Sequence, residues 1–200
     1  MKVVSVNLGE KKIINYKGKI VETGIFKYPV QKAIFLGEED VVNDAVIDRR
    51  YHGGIDQAVY AYSENHYDYW KNLYPDLDWK YGLFGENLTI TNLEETEIQV
   101  GNHYKLGETI IEVTKPREPC MKLGLRFGTQ KVLKQFWNST KSGIYFKVIK
   151  TGNVKVGDEM VLIKKTVNIL SNLEVKKISI LASNLDLNEP LLKNNESLHI

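Results

Sequence analysis

The chain has 200 residues, of which 42% are hydrophobic and 26% are charged, and its 27 basic and 25 acidic residues leave a net charge of +2. These values exclude a disordered chain and a small disulfide-stapled domain, because a chain of this length can bury about 70% of its unfolded surface in one domain. The balanced charge gives no general electrostatic basis for binding nucleic acid or a membrane surface.

Cysteine usage and the start of the chain predict a cytoplasmic protein. Cys120 is the only cysteine and cannot form an intrachain disulfide, which agrees with a reducing compartment. The apolar runs are too short to span a bilayer, and the first residues run directly into a strand pattern without a signal-type cleavage region.

Short strands dominate the first part of the chain. Apolar patterns bounded by glycine, asparagine and acidic residues predict strands over 3–8, 33–36, 41–47 and 58–62. A hairpin is expected after the first strand, with its turn at Lys17-Gly18. Ser63 then has the character of an N-cap, and aromatic residues at helical spacing predict a helix from Glu64 to about Leu73.

The second part repeats this pattern of short strands. Strands are predicted over 87–90, 97–100, 103–106, 109–114, 143–150, 154–156 and 160–163. One further helix is expected from about Thr129 to Trp137, because its apolar residues recur at helical spacing. Beyond Lys165 the spacing of apolar residues becomes helical again.

The number of strands predicts a mainly β fold, more fully a β-rich α+β fold with short helices. Ten or more closely spaced strands favour a largely antiparallel sheet that closes on itself as a barrel. There is no regular alternation of strands and helices, so a doubly wound fold is not expected. We assign residues 1–166 to this domain and residues 167–200 to a small helical appendage.

The segment 115–123 carries the cysteine in an unusual setting. Pro116 and Pro119 remove backbone donors and fix φ, so this segment is predicted to be a rigid loop that presents Cys120. Arg117 and Lys122 flank the cysteine, and neighbouring cations lower a thiol pKa and favour the reactive thiolate. The alternative is a buried thiol that packs as a small hydrophobic residue.

A second polar loop, 48–57, contains paired glycines that allow the backbone to approach a ligand closely. Arg49 offers a fixed cation, His52 a titratable nitrogen, and Asp56 a carboxylate that could orient the imidazole. The alternative is a solvated turn whose arginines pair with nearby acidic residues.

Three chemistries are open to these two loops. A cysteine hydrolase could use Cys120, His52 and Asp56, since a thiolate beside an imidazole is an activated nucleophile. A thiolate is also a ligand for a thiophilic metal, and the surrounding cations would suit a cofactor that carries phosphate. Structural zinc is poorly supported, because one cysteine and four scattered histidines lack the usual paired ligand spacing.

Four spaced motifs together resemble the MOSC family, the molybdenum cofactor sulfurase C-terminal domain, and more narrowly its stand-alone, YiiM-like bacterial branch. The resemblance covers about residues 1–165. The motifs are residues 48–62 (DRRYHGGIDQAVYAY), 84–88 (FGENL), 116–120 (PREPC) and 152–158 (GNVKVGD).

The resemblance implies a MOSC-type barrel and a molybdenum cofactor, molybdopterin, whose metal is held by Cys120. Cys120 and His52 would be the catalytic residues. The residues implied to bind the cofactor are Cys120, Arg49, His52, Arg117, Lys122, Asp56 and Asn87, the last two in supporting positions.

The resemblance also implies reduction of N-hydroxylated small molecules, such as hydroxylaminopurine base analogues, with electrons from a separate flavoprotein reductase. No nucleic acid or membrane partner is expected, and a homodimer is left open. A carrier that binds the cofactor, or holds sulfur as a persulfide on Cys120 without reducing a substrate, is the alternative. Long family members continue into a helical module that is short here, so a donor-docking role for 167–200 does not carry over.

Overall fold

The structure, a computed structural model, describes residues 1–49, 52–167 and 171–186. Arg50 and Tyr51 of the glycine loop lie outside the described residues, as do 168–170 and 187–200 of the predicted appendage. No helix within the described ranges is long and apolar enough to cross a membrane.

Twelve strands and four α-helices form the described chain. The strands are β1 (Val3–Gly9), β2 (Lys12–Tyr16), β3 (Lys19–Thr23), β4 (Lys27–Pro29), β5 (Ile34–Leu36), β6 (Val59–Ser63), β7 (Leu88–Ile90), β8 (His103–Leu106), β9 (Thr109–Pro116), β10 (Ile144–Lys150), β11 (Gly152–Val154) and β12 (Met160–Lys164). The helices are α1 (Tyr67–Leu73), α2 (Met121–Arg126), α3 (Lys131–Asn138) and α4 (Asn172–Asp186), and short 3-10 turns cover Ile55–Gln57 and Glu64–His66.

Eight strands form the main sheet, in the order β12-β8-β9-β10-β6-β7-β1-β4. The prediction of a mainly β fold is confirmed, and neighbouring strands are antiparallel except for β6 and β7, which run parallel. The smaller pairs β2–β3 and β5–β11 lie beside it, and β2–β3 is the predicted hairpin with its turn at Lys17-Gly18.

The expected closed barrel is not found among the described strands, because no ladder joins the two edges of the main sheet, β12 and β4. The reason lies in β1, whose last residues pair with β4 from Asn7 to Gly9. Only the start of the chain reaches the opposite edge, where Lys2 and Glu159 form a single bridge. The sheet therefore curls toward closure without completing it.

Two predicted strands are irregular instead. In the segment 41–47, Val41 makes one bridge to Leu36, and the residues that follow cross the end of β1, where the Ala45 amide donates to the Gly9 carbonyl. In 97–100, Gln99 makes one bridge to Ser171. Short apolar runs predicted strands here, but their partners are single residues rather than strands.

Two hydrophobic clusters hold the fold together. An aliphatic cluster lies along the main sheet and includes Val59, Leu88, Ile111 and Phe146. An aromatic cluster lies beneath α1, α2 and α3, and its members are Ile25, Tyr60, Tyr62, Tyr67, Trp70, Leu83, Phe84, Leu123, Phe127, Val132 and Phe136. Truncating a fully buried aromatic ring of this kind costs about 3–5 kcal/mol, so the aromatic cluster anchors the helices.

The helices begin largely where their sequences predict. The 3-10 turn Glu64–His66 leads directly into α1, although Ser63 makes no side-chain capping bond. The apolar side of α3 buries Val132 and Phe136, as its spacing predicts. The short α2 was not predicted, because two prolines just before it indicated a loop.

Helix α4 lies where helical spacing predicts one, and it docks through an unusual buried lysine. Lys176 is 5% exposed, and its ammonium group donates to the carbonyl oxygens of Phe136 at 3.2 Å and Ser139 at 2.6 Å. These carbonyls lie at the end of α3, where a cation is favoured. The division of the chain at residue 166 stays a prediction.

Candidate functional site

A pocket opens where three loops meet the start of α2. Its volume is about 90 Å³, well below the roughly 300–1,000 Å³ of pockets that enclose a whole drug-sized ligand. A larger ligand would therefore extend outside it. The lining residues are Gly24, Ile25, Lys27, Asp44, Ala45, Val46, Ile47, His52, Gly53, Gln57, Ala58, Tyr60, Gly85, Asn87, Arg117, Cys120, Lys122 and Tyr145.

Cys120 is presented to this pocket at the junction of a loop and a helix. Strand β9 ends at Pro116 and α2 begins at Met121, so Cys120 is the N-cap residue, with an extended backbone (φ −115°, ψ 165°). The thiol is half-buried and free. The predicted rigid loop is therefore shorter than 115–123, and Lys122 lies in the first turn of α2.

His52 and Cys120 meet although 68 positions of sequence numbering separate them. The imidazole and the thiol line the same pocket, and the imidazole favours the ionised form of the thiol. Burial raises the pKa of Cys120, but the imidazole of His52 and the positive charge of Arg117 outweigh burial and lower that pKa to about 6. The sulfur is therefore largely a thiolate at neutral pH, which is the form that binds a metal or acts as a nucleophile.

Arg117 is a buried cation held in one position. It is 5% exposed, and its guanidinium group donates to the Phe84 carbonyl and lies 4.7 Å from the centre of the Tyr60 ring. Burial lowers the pKa of Arg117, but the hydroxyls of Tyr60 and Tyr145 and the Cys120 sulfur raise it above its ordinary value. The pocket thus contains a permanent positive charge beside the thiolate.

Two tyrosines complete the inner wall. Tyr60 on β6 pairs directly with Tyr145 on β10, and both side chains feel the positive charge of Arg117. The Tyr60 hydroxyl also donates to the Ser142 carbonyl at 2.7 Å. Burial raises the pKa of both tyrosines, so both stay neutral and can donate hydrogen bonds.

Asn87 supports the opposite wall through a buried polar network. Its side-chain amide donates to Asp44 Oδ2 at 2.8 Å, and its Oδ1 accepts from the Tyr60 amide at 3.3 Å. Lys27 donates to the same carboxylate oxygen, and the Gly9 amide donates to Asp44 Oδ1 at 2.8 Å. The network neutralises Asp44 and fixes the loops that carry Lys27 and Asp44.

The structure does not bring Arg49 and Asp56 into the pocket. Arg49 is 54% exposed at its side chain and pairs with Asp40 and, at 3.6 Å, with Glu39. Asp56 is exposed in the 3-10 turn Ile55–Gln57, where its backbone carbonyl accepts a hydrogen bond from Thr114. The expectation that Arg49 lines the pocket is corrected, because nearby acidic residues hold it outside. The hydrolase hypothesis requires Asp56 to orient the His52 imidazole, and Asp56 does not line the pocket.

Sequence reasoning placed Cys120, His52, Arg117, Lys122 and Asn87 at one site, and all five line the pocket. It missed several other lining residues, because their positions depend on strand register and on loops that cross the sheet. The residues missed in this way are Lys27, Asp44, Gln57 and Tyr145. Tyr60, which the sequence places in a strand, also lines the pocket.

The chemistry of the donor set fits the cofactor that the resemblance implies. The pocket offers one soft sulfur ligand with a lowered pKa, one imidazole and a buried guanidinium group. A single thiolate suits a thiophilic metal whose other ligands belong to the cofactor, and the cations suit a cofactor that is anionic. Cys120 would hold the metal, and Arg117 and Lys122 would balance the cofactor's charge.

Comparison with known proteins agrees with this geometry. The MOSC domain model matches residues 48–161. The chain is 35% identical over 163 residues to the uncharacterized protein YflK of Bacillus subtilis, covering 82% of this chain and 73% of YflK. It is 34% identical over 175 residues to a Gibberella moniliformis protein named "Reductase", covering 86% of this chain but only 31% of that protein.

A solved structure shares the fold over nearly the whole chain. The crystal structure of YiiM from Geobacillus stearothermophilus superposes with a TM-score of 0.73 at 30% sequence identity, covering 94% of this chain and 91% of that one. The family match spans the glycine loop, the Cys120 segment and the strands between them. The chain therefore belongs to the MOSC domain family and is similar to its YiiM members.

Proposed function

We propose that this protein binds a molybdenum cofactor through Cys120 and reduces N-hydroxylated small molecules to amines, with electrons from a separate flavoprotein reductase. The observation that carries the proposal is the Cys120 thiol, whose pKa is lowered to about 6 in a pocket that also holds His52 and Arg117. Membership of the MOSC family and similarity to a protein named "Reductase" support it.

The overall reaction sets the requirements for the pocket. Reduction of R–NHOH breaks the N–O bond, consumes two electrons and two protons, and yields R–NH₂ and water. The bound molybdenum group supplies the two-electron chemistry, because no protein side chain does so readily. The protein must hold this group, deliver protons and orient the substrate.

The described residues can meet these requirements. The Cys120 thiolate is the metal ligand, and the buried Arg117 keeps it ionised and offsets negative charge on the cofactor. His52 lines the pocket with Cys120, and its imidazole can pass a proton to the substrate. Tyr145 lines the same wall and can donate a hydrogen bond to the substrate's oxygen.

A reductase assay tests the proposal. Protein purified from a host that makes the cofactor should reduce hydroxylaminopurine with electrons from a reduced viologen dye. Cys120→Ala should lose this activity, whereas Met121→Ala should keep it, because Met121 is the adjacent, exposed sulfur-containing residue. Equal turnover by Cys120→Ala and wild type would overturn the proposal.

The same low-pKa thiolate would also serve a cofactor or sulfur carrier. A carrier would hold molybdenum, or a persulfide on Cys120, and show no turnover in the dye-driven assay even when loaded. A hydrolase would act on an ester without metal and would be blocked by alkylation of Cys120. The assay therefore separates the proposed reductase from both. The electron donor, a homodimer and a cytoplasmic location stay predictions.

A further inference from the structure

A cluster of two cations and two aromatic rings lies beside the pocket and has no role in the site described above. Tyr28, on β4, accepts hydrogen bonds at its hydroxyl from Lys12 Nζ at 3.2 Å and from Arg126 Nη1 at 3.3 Å. Both cations also lie 4.9–5.0 Å from the ring centres of Phe26 and Tyr28. Lys12 comes from the β2–β3 hairpin and Arg126 from the end of α2.

No carboxylate of the described residues pairs with the cations of this cluster, Lys12 and Arg126. The buried Arg126 Nε has no hydrogen-bond partner within the part of the chain that the structure describes. The neighbouring Lys11, in contrast, pairs with Glu22 at 2.8 Å. Two cations that share one phenol oxygen without a carboxylate form a site for an anion.

The cluster adjoins the Cys120 pocket. Arg126 follows Lys122 by one helical turn, about 6 Å along α2, and Lys122 lines the pocket. Arg126 Nη2 also lies 3.4 Å from the carbonyl oxygen of Lys27, another lining residue. Because the pocket is too small to enclose a large ligand, part of such a ligand would reach this rim.

We infer that Lys12, Tyr28 and Arg126 form a second binding site, for the phosphate group of a ligand whose other end occupies the Cys120 pocket. The identity of that ligand rests on the proposed function: the phosphate belongs either to an N-hydroxylated nucleotide substrate or to the cofactor. Tyr28 accepts two hydrogen bonds and keeps its own proton to donate, and Lys12 and Arg126 provide charge. The site thus offers a phosphate both charge and hydrogen bonds.

Inorganic phosphate tests the site without reference to any reaction. The hydrogen bond from Lys12, together with Arg126, lowers the pKa of Tyr28, so bound phosphate should raise that pKa by offsetting their charge. The full-length protein, carrying carbon-13 in its tyrosine rings, is titrated with phosphate at low ionic strength. The Tyr28 resonance is assigned by its absence in Tyr28→Phe.

We expect a saturable phosphate response of the Tyr28 resonance in the wild type. The response should weaken at least tenfold in the double variant Lys12→Gln/Arg126→Gln. It should persist in Lys11→Gln/Lys134→Gln, which removes the same charge from exposed positions outside the cluster. No response at Tyr28, or an equal response in both double variants, would overturn the inference.

Two further measurements distinguish the sources of the phosphate. If the substrate carries it, the wild type should prefer a hydroxylaminopurine nucleoside 5′-monophosphate over the free base by about tenfold in kcat/KM. Lys12→Gln/Arg126→Gln should abolish this preference while kcat/KM for the free base is unchanged. If the cofactor carries it, the double variant should instead lose molybdenum and pterin. Absence of any reduction by wild type would overturn the proposed function, while the phosphate titration would still decide the second site.

Discussion

The middle and the two ends of the glycine loop (48–57) differ in what they do, although only a few residues separate them. His52 turns inward, lines the pocket with Cys120 and lowers the pKa of the Cys120 thiol. Arg49 and Asp56 remain at the surface, where Arg49 pairs with Asp40 and Asp56 contributes its backbone carbonyl. A charged residue near a catalytic loop in sequence is therefore not necessarily part of the site.

The physical difference is whether the charged side chain is buried or exposed to water. Arg117 is buried, so its charge acts on the thiol with little screening by water, and every change there should be large. Arg49 is exposed, so its ion pairs contribute little.

Arg117→Met should have the largest effect on stability. The change leaves the Phe84 carbonyl without its charged donor and removes the group packed on Tyr60, so we expect a loss of about 3 kcal/mol in the free energy of unfolding. Arg49→Met should change it by less than about 0.5 kcal/mol. Urea unfolding measures both, and a larger loss for Arg49→Met would contradict the contrast.

His52→Ala should raise the pKa of Cys120 from about 6 toward the ordinary thiol value of about 8.5, because the imidazole that lowers it is lost. The rate of alkylation by iodoacetamide against pH gives this pKa. At a pH well below the pKa, each unit by which the pKa of Cys120 rises lowers the thiolate fraction about tenfold. Asp56→Ala is the control, and a pKa change in that variant would show that Asp56 acts on the site after all.

The lowered thiol pKa also predicts a pH dependence of stability. The pKa in the folded protein, about 6, lies below the unfolded value of about 8.5. The thiolate therefore contributes stability that is fully present above about pH 8.5 and is lost as the pH falls to about 6. Cys120→Ser should lack this component, so the stability difference between it and the wild type should shrink over that range. A constant difference would argue against a thiolate in the folded protein.

Asn87→Ala should have an intermediate effect. It leaves Asp44 and the Tyr60 amide short of partners, and we expect a loss of about 1–2 kcal/mol in the free energy of unfolding. Asn65→Ala is the matched control, because Asn65 makes its hydrogen bonds to Asn92 at the surface. Thermal or urea unfolding measures both variants. An equal loss of unfolding free energy in Asn87→Ala and Asn65→Ala would mean that burial of the Asn87 network adds no stability.

Arg49→Gln and Asp56→Ala should have the smallest effects. Both side chains are exposed and outside the pocket, so cofactor content and the pKa of Cys120 should match the wild type. Metal analysis and the alkylation profile check this. Cofactor loss in either variant would show that this end of the loop belongs to the site.

Much of the fold and part of the site could be predicted from local sequence. Alternating apolar residues identified β1 and β10, and the turn residues Lys17-Gly18 located the β2–β3 hairpin. Helical spacing identified α3. These elements were predictable because their causes lie within a few neighbouring residues.

The remaining features depend on long-range pairing. The sheet stays open because the end of β1 pairs with β4 and only Lys2 bridges to the opposite edge, at Glu159, and no local pattern encodes this. Lys27 and Asp44 reach the pocket through a buried ion pair, and Tyr145 through its register with Tyr60. Arg49 was misplaced because the sequence does not show which acid a surface arginine will meet. Cys120, His52 and Arg117 were identified through the combined motifs rather than through spacing.

The most direct test of the central claim is the molybdenum content of the protein and of one variant. The account predicts about one molybdenum per chain in wild type and Met121→Ala purified from a host that makes the cofactor, and almost none in Cys120→Ser. Folding of the variant is checked by its urea unfolding curve. Molybdenum retained at the wild-type level in a folded Cys120→Ser protein would contradict the assignment of Cys120 as the metal ligand.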